Sequence, residues 1–183
     1  MYLAHTRPDL AYALSVVSQY MHNPREQHMN AVKRILRYLK NVPGKGILFT
    51  KNVDHQSIKV YTDVDWAGAV DDRRSTSGYF TFVSGNLVTW KSKKQNVVAR
   101  SSAEAEFRVA CDIAHNPVQH DRTKHVKVDR FFIKEKLDDK IVELPKIRSE
   151  DQLADILTKA AVSSRVFSKF LDKLGMCDIY APT

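Results

Sequence analysis

Apolar residues recur at helical spacing twice near the start of the chain. Leu10, Leu14, Val17 and Met21 predict an amphipathic helix over 9–22. Asn23-Pro24 ends it and opens a second helix, with Asn23 as cap, Pro24 at the first position and Glu26 at the capping-box position. That helix runs to about Lys40. Ala31, Val32, Ile35, Leu36 and Leu39 form its buried stripe, and Lys33, Arg34, Arg37 and Lys40 lie largely outside it. Val42-Pro43-Gly44 is a stop. The pattern then changes to strands. GILFT (46–50) and IKVYTD (58–63) are short β-type runs, and GYFTFVS (78–84) and LVTWK (87–91) flank Gly85-Asn86, a two-residue hairpin signal. QNVVA (95–99) reads as a third strand or as a continuation of the second. Ser101 and Glu104 form a capping-box pair that opens a helix, which ends before Asn116-Pro117. Residues 124–137 carry Val128, Phe131, Phe132 and Leu137 at roughly helical spacing. IVELPKI (141–147) is a strand whose Pro145 marks an edge or an end. Helices follow near 150–159 and 164–174, the second closed by Gly175. Strands followed by helices that pack on them predict an α/β fold in layers.

Composition narrows the class. The 183 residues are 43% hydrophobic and 27% charged, ordinary for a globular domain, and no apolar run is long enough to cross a bilayer. MYLAHTRPDL lacks the layout of a signal peptide, so the expected location is intracellular, cytoplasm or nucleus, without secretion or a membrane partner. Two cysteines, Cys111 and Cys177, are too few for a disulfide framework. Net charge is +8, and residues 1–55 hold eight Lys/Arg against three acids. A basic front end suits a polyanionic partner such as nucleic acid; solvated lysine and arginine faces account for it equally.

Three acids stand where chemistry could use them. Asp63 closes a predicted strand, with Asp65 two residues on and able to share its face if the strand continues. A carboxylate on a rigid strand can hold a metal, although Asp is also common where strands turn. Glu106 lies in the first turns of a helix, after Glu104; acids there also favour the helix dipole. Asp155 sits among Leu153, Ala154, Ile156 and Leu157, as either a solvated helix position or a site acid on a docked helix. Separated carboxylates that converge suit magnesium, because hard cations take oxygen ligands and two such ions can clamp a phosphodiester. His115, His120 and His125 are five apart, a spacing that does not align side chains on one helix face, so a basic phosphate-contacting loop or a plain polar surface fits them better than zinc.

Taken in order, these segments resemble copia-type retrotransposon Pol polyproteins. AHTRPDLAYALSVVSQYM (4–21) and HMNAVKRILRYLKNVPGKGILF (28–49) resemble the end of the family's reverse transcriptase. YTDVDWAGAVDDRRSTSGYFTFVSGNLVTWKSKKQNVVARSSAEAEFR (61–108) resembles the start of its ribonuclease H domain. NPVQHDRTKHVKVDRFFIKEKL (116–137) and EDQLADILTK (150–159) resemble the later part. The resemblance implies a ribonuclease H-like fold, a five-stranded mixed sheet with helices on both sides. It implies magnesium-dependent hydrolysis of the RNA strand of RNA–DNA hybrids, using two Mg2+ ions and four carboxylates. The first maps onto Asp63, the second onto Glu106 and the fourth onto Asp155, with Asp65 a near neighbour. Arg73, Arg74, Lys93, Lys94, Arg122, Lys124 and His125 become candidates for contact with nucleic acid, and the remainder of a Pol polyprotein becomes the ancestral partner.

The departure lies at the third acid. FRVA (107–110) runs almost directly into CDIAHNPV (111–118), where the family has the rest of a helix, a loop and a central strand ending in a CDN motif. Cys111-Asp112 is a remnant of that motif or a chance match, with Ile113 in place of its Asn, so Asp112 would have to reach the site from a loop or helix. The expected organisation is a helical, basic reverse-transcriptase remnant over 1–55 and a ribonuclease H-like domain over 56–183 with an internal deletion near 110–114. One central strand and part of a helix are expected to be lost. Starting after the polymerase aspartates, the chain is not expected to polymerise. Its expected competence is hybrid cleavage impaired or lost; the alternative is a non-catalytic nucleic-acid-binding module or a vestigial fragment.

Overall fold

The computed structural model describes residues 2–51, 58–69, 72–96, 98–102, 104–105, 142–143, 148, 151–160 and 162–180. A four-stranded sheet organises them. Its strands are β2 (Ile58–Asp65), β3 (Thr76–Val83), β4 (Asn86–Lys94) and β5 (Val142–Glu143), in the order β4-β3-β2-β5. The first three form an antiparallel meander, and β5 lies parallel to β2, pairing Ile58 with Val142 and Lys59 with Glu143. A second, two-stranded sheet joins β1 (Lys45–Ile47) to β6 (Met176–Asp178). This mixed α/β arrangement is compatible with the ribonuclease H-like expectation. Four strands pair in the main sheet among the described residues, and β5, inside the strand expected at 141–147, lies directly against β2.

Strand β3 is interior, and its alternation shows why. Gly78, Phe80 and Phe82 point to one face, and Ser77, Tyr79 and Thr81 to the other. Phe80 is fully buried and Phe82 and Tyr79 nearly so, so the middle of the strand is covered on both sides. Burying one Phe this way contributes about 1.5–3 kcal/mol. The Phe80 face carries the main core, with Leu87, Leu153, Ile156, Leu157, Phe170, Leu171, Leu174 and Met176. The β3–β4 turn differs from the sequence expectation by one residue. Ser84 and Gly85 take its two positive-φ positions, at 49° and 79°. Asn86 belongs to β4, and its side-chain amide bonds the backbone of Thr50 in both directions at 2.8 Å.

The N-terminal third packs on this same core. Helix α1 covers Ala11–Ser18, shorter than the expected 9–22, because a 3-10 turn (Pro8–Leu10) precedes it and serine side chains bond back to its carbonyls. Ser15 bonds Tyr12 and Ser18 bonds Ser15, each at 2.8 Å, which competes with helix continuation. Helix α2 covers Glu26–Asn41 and starts two residues after the expected position; the backbone N–H of Arg25 donates to His28 Nδ1 at 3.0 Å, so His28 and not Glu26 closes the cap. Of its expected stripe, Ile35 is buried, Ala31, Val32 and Leu39 are half-buried, and Leu36 is exposed. The two segments are joined by a buried ion pair. Arg7 makes two hydrogen bonds to Asp9, at 2.7 and 2.9 Å, and Tyr38 of α2 donates to the same carboxylate at 2.8 Å. Trp90 Nε1 of β4 donates to the carbonyl of Ala4 at 2.8 Å, which ties the start of the chain to the sheet.

The C-terminal elements differ from expectation in one respect. The expected helix at 150–159 is a 3-10 turn over Leu153–Leu157, and helix α3 covers Ser164–Lys173, closed by Gly175 with φ at 69°. β4 runs on to Lys94, and 95–99 adds no strand among the described residues. The expected helix over 124–137, the end of the helix opened at Ser101, and the gap near 110–114 lie outside the described residues.

Candidate carboxylate site

Strand β2 continues two residues beyond its expected end, so Asp63 lies within it and Asp65 is its last residue. The two therefore share a face. Across the sheet, Asp63 pairs with Gly78, and Gly78 with Ser92. The Leu153–Leu157 turn lies over this row. A Cβ at Gly78 would collide with Leu157 Cβ and lie 3.2 Å from Thr158 Cγ2, so only a glycine leaves room for the turn.

Side-chain hydrogen bonds fix the turn in place. Gln152 Nε2 donates to the carbonyl of Thr62 at 2.9 Å, and its Oε1 accepts from the N–H of Ala154. Ser92 Oγ donates to the carbonyl of Leu157 at 2.6 Å, and the hydroxyls of Ser92 and Ser15 lie 3.2 Å apart, so α1 buttresses the turn. Thr158, fully buried, donates its hydroxyl to the carboxylate of Asp63, with the carbonyl of Asp155 3.3 Å away. The turn is thus docked beside β2, and the carboxyls of Asp63 and Asp155, far apart in sequence, interact at one end of the sheet.

Their charges act on one another. Burial raises the Asp155 carboxyl above its ordinary range, the hydrogen bond from Lys159 lowers it, and the Asp63 charge raises it; the net is upward. Burial also raises Asp65, with Asp63 adding to it and Lys159 opposing. Lys159 Nζ lies 2.8 Å from Asp155 Oδ1. Burial pulls this ammonium down, but the hydrogen bond to Asp155 and the charges of Asp63, Asp155 and Asp65 outweigh it, leaving its pKa raised. Tyr12 of α1 is raised by burial and by the charge of Asp65, so the N-terminal segment borders the same cluster.

Of the residues expected from sequence to form a site, Asp63 and Asp155 come together and Asp65 is beside them. Glu106, Asp112, Arg122, Lys124 and His125 lie outside the described residues. The helix opened at Ser101 begins as expected: Ser101 Oγ accepts from the N–H of Glu104 at 3.2 Å, and Glu104 accepts from the N–H of Arg100 at 2.8 Å. Arg73, Arg74 and Lys93 are exposed; Arg74 and Lys94 reach Asp72 at 3.4 and 3.0 Å. The oxygen donors of Asp63, Asp65 and Asp155 are of the type a hard cation takes. Among the described residues, no three His, Cys, Asp or Glu side chains are grouped closely enough to hold an ion together. Sequence reasoning missed Gly78, Ser92, Thr158 and Lys159. Only Lys159 left a signal there, its four-residue spacing from Asp155.

No family model and no solved structure matches the chain. Curated relatives do. The Retrovirus-related Pol polyprotein from transposon RE1 of Arabidopsis thaliana is 38% identical over 209 residues, taking in 96% of this chain and 14% of its own length. The Pol polyprotein from transposon TNT 1-94 of Nicotiana tabacum is 35% identical over 204 residues, 93% of this chain and 15% of that protein. A Plasmopara viticola protein named Secreted RxLR effector protein 161 is 44% identical over 113 residues, 62% of this chain and 79% of its own length. The chain belongs to the copia-type retrotransposon Pol polyprotein family, and it spans about a seventh of the length of the polyproteins it matches. The RE1 alignment takes in 96% of this chain, roughly 176 of its 183 residues, so about 33 of the 209 aligned positions have no counterpart here.

Proposed function

We propose that this chain is a ribonuclease H-like segment of a retrotransposon Pol polyprotein, built for magnesium-dependent hydrolysis of the RNA strand of RNA–DNA hybrids, with that activity impaired or lost. One observation carries the reading: the turn that carries Asp155 is docked on β2 through the Thr158–Asp63 hydrogen bond, so that the two carboxyls interact, on an antiparallel meander with a parallel strand beside it. Asp63 and Asp155 would hold the divalent cation, with Asp65 adjacent. A bound ion would supply charge neutralisation and polarisation of a phosphodiester oxygen. The chain's own residues position the acids: Thr158 orients the Asp63 carboxylate, and Ser92 with Gln152 holds the turn. Impairment is supported by the aligned positions absent from this chain.

A second reading, a nucleic-acid-binding module without turnover, is supported by the exposed Lys33, Arg34, Arg37 and Lys40 on α2. Phosphate contacts need charge more than a complete metal site. The test is a labelled RNA–DNA hybrid offered to the purified protein with magnesium or chelator, beside Asp63→Asn. The expected result is salt-sensitive binding with cleavage absent or slow. Rapid cleavage that needs magnesium and Asp63 would contradict impairment, and no binding at low salt would contradict the nucleic-acid reading.

A further inference from the structure

We infer that Lys159 is a tethered counter-cation of the acid cluster, which holds the metal-free site together and competes with a divalent ion for Asp155. The inference rests on the reading that this cluster takes such an ion. Its basis is local. The backbone N–H of Lys159 bonds the carbonyl of Asp155 at 2.9 Å, which places both side chains on one side of the turn. Its Nζ then reaches Asp155 Oδ1 at 2.8 Å, one of the oxygens a metal would need. Thr158, next in the chain, occupies the Asp63 carboxylate in the same way. The ammonium touches Asp155, and the charges of Asp63 and Asp65 also act on it. Its side chain is 43% exposed, so it can swing into solvent when an ion arrives. An ion that takes Oδ1 must displace the ammonium, and one that takes the other oxygen of Asp155 is opposed by the nearby positive charge, so binding is favoured by that swing. An apolar side chain at 159 would leave the acids uncompensated, harder to assemble without metal and more receptive to it.

The experiment uses the full chain and Mn2+ as the probe, with free Mn2+ read by electron paramagnetic resonance. Wild type, Lys159→Met, Lys159→Arg and Asp63→Asn are compared, and thermal unfolding is followed with and without the ion. Loss of the ammonium is expected to tighten Mn2+ binding about tenfold. It should also lower the metal-free Tm, and Mn2+ should restore it. Lys159→Arg keeps the charge and is expected to stay within about threefold of wild type. If Lys159→Met does not fold, Lys159→Gln is read in the same way. Equal affinity in wild type and the neutral variant, lost in Asp63→Asn, would overturn the role of Lys159 and leave the metal reading standing. Folded proteins that bind no Mn2+ in any form would overturn both.

Discussion

Replacing Gly78 by alanine tests how the site is assembled. The backbone there is ordinary, so the effect comes from space alone. The new methyl would meet Leu157 Cβ, an atom fixed to the backbone, with Thr158 Cγ2 at 3.2 Å and Leu157 Cδ1 at 3.3 Å. Leu157 and Thr158 are both fully buried, so neither can turn aside into solvent. The turn must lift or the strand must bend. Overpacking of this kind costs about 1–3 kcal/mol. The alanine also restricts the unfolded chain, which offsets about 0.4–1 kcal/mol. A net loss of about 1–2 kcal/mol is therefore expected, a measurable part of a marginal stability of ~5–15 kcal/mol. Urea unfolding at neutral pH measures it. The same lift would draw Asp155 and Thr158 away from Asp63, so Mn2+ binding should weaken as well. A Gly78→Ala protein as stable as wild type, with unchanged Mn2+ affinity, would refute the close docking of turn on sheet.

Other expectations follow from the same geometry. Asp9→Ala strands the Arg7 guanidinium, whose side chain is 7% exposed, and should cost about 3–5 kcal/mol in urea unfolding. Tyr38→Phe removes one hydrogen bond to Asp9 and should cost about 1 kcal/mol. Burial, aided by Asp9, pushes the Tyr38 phenol up to about 12. The folded state holds that proton more tightly than the unfolded chain, so stability should fall as pH rises from about 10 towards that value, and less so in Tyr38→Phe. Asp65 is raised in the fold by burial and by Asp63, so its ionisation disfavours the folded state. Stability from this group is present below about pH 4 and is lost as pH rises through the raised value. Asp65→Asn should therefore unfold at higher temperature than wild type at pH 7 without metal, with the difference shrinking at pH 4; a lower Tm at pH 7 would contradict that sign.

Much of the sheet was legible in the chain because its signals are local. The alternation from Gly78 to Ser84 and the glycine of the turn predict β3 and β4, and the structure moves the turn by one residue only. Asp63 was also legible as an acid at a strand end, and Asp155 as an acid among packing residues. What joins them was not. Gly78, Ser92 and Thr158 act through tertiary contacts that no periodicity encodes, and a glycine in a strand carries no mark of what passes over it. Helix lengths failed for a physical reason too. Serines at 15 and 18 bond back to helical carbonyls, and Gln152 caps a single 3-10 turn where apolar spacing alone predicts a longer helix. The buried Arg7–Asp9–Tyr38 group was missed because charged residues in a short Pro-containing segment read as surface.

The meeting of Asp63 and Asp155 is the central claim, and one measurement addresses it directly. Amide resonances of the labelled full-length chain would be followed by nuclear magnetic resonance as sub-stoichiometric Mn2+ is added. The account predicts that Asp63, Asp155 and Thr158 broaden together at the lowest concentrations, before residues of α2, and that Asp63→Asn abolishes the effect. Broadening of Asp63 without Asp155, or of neither, would contradict it.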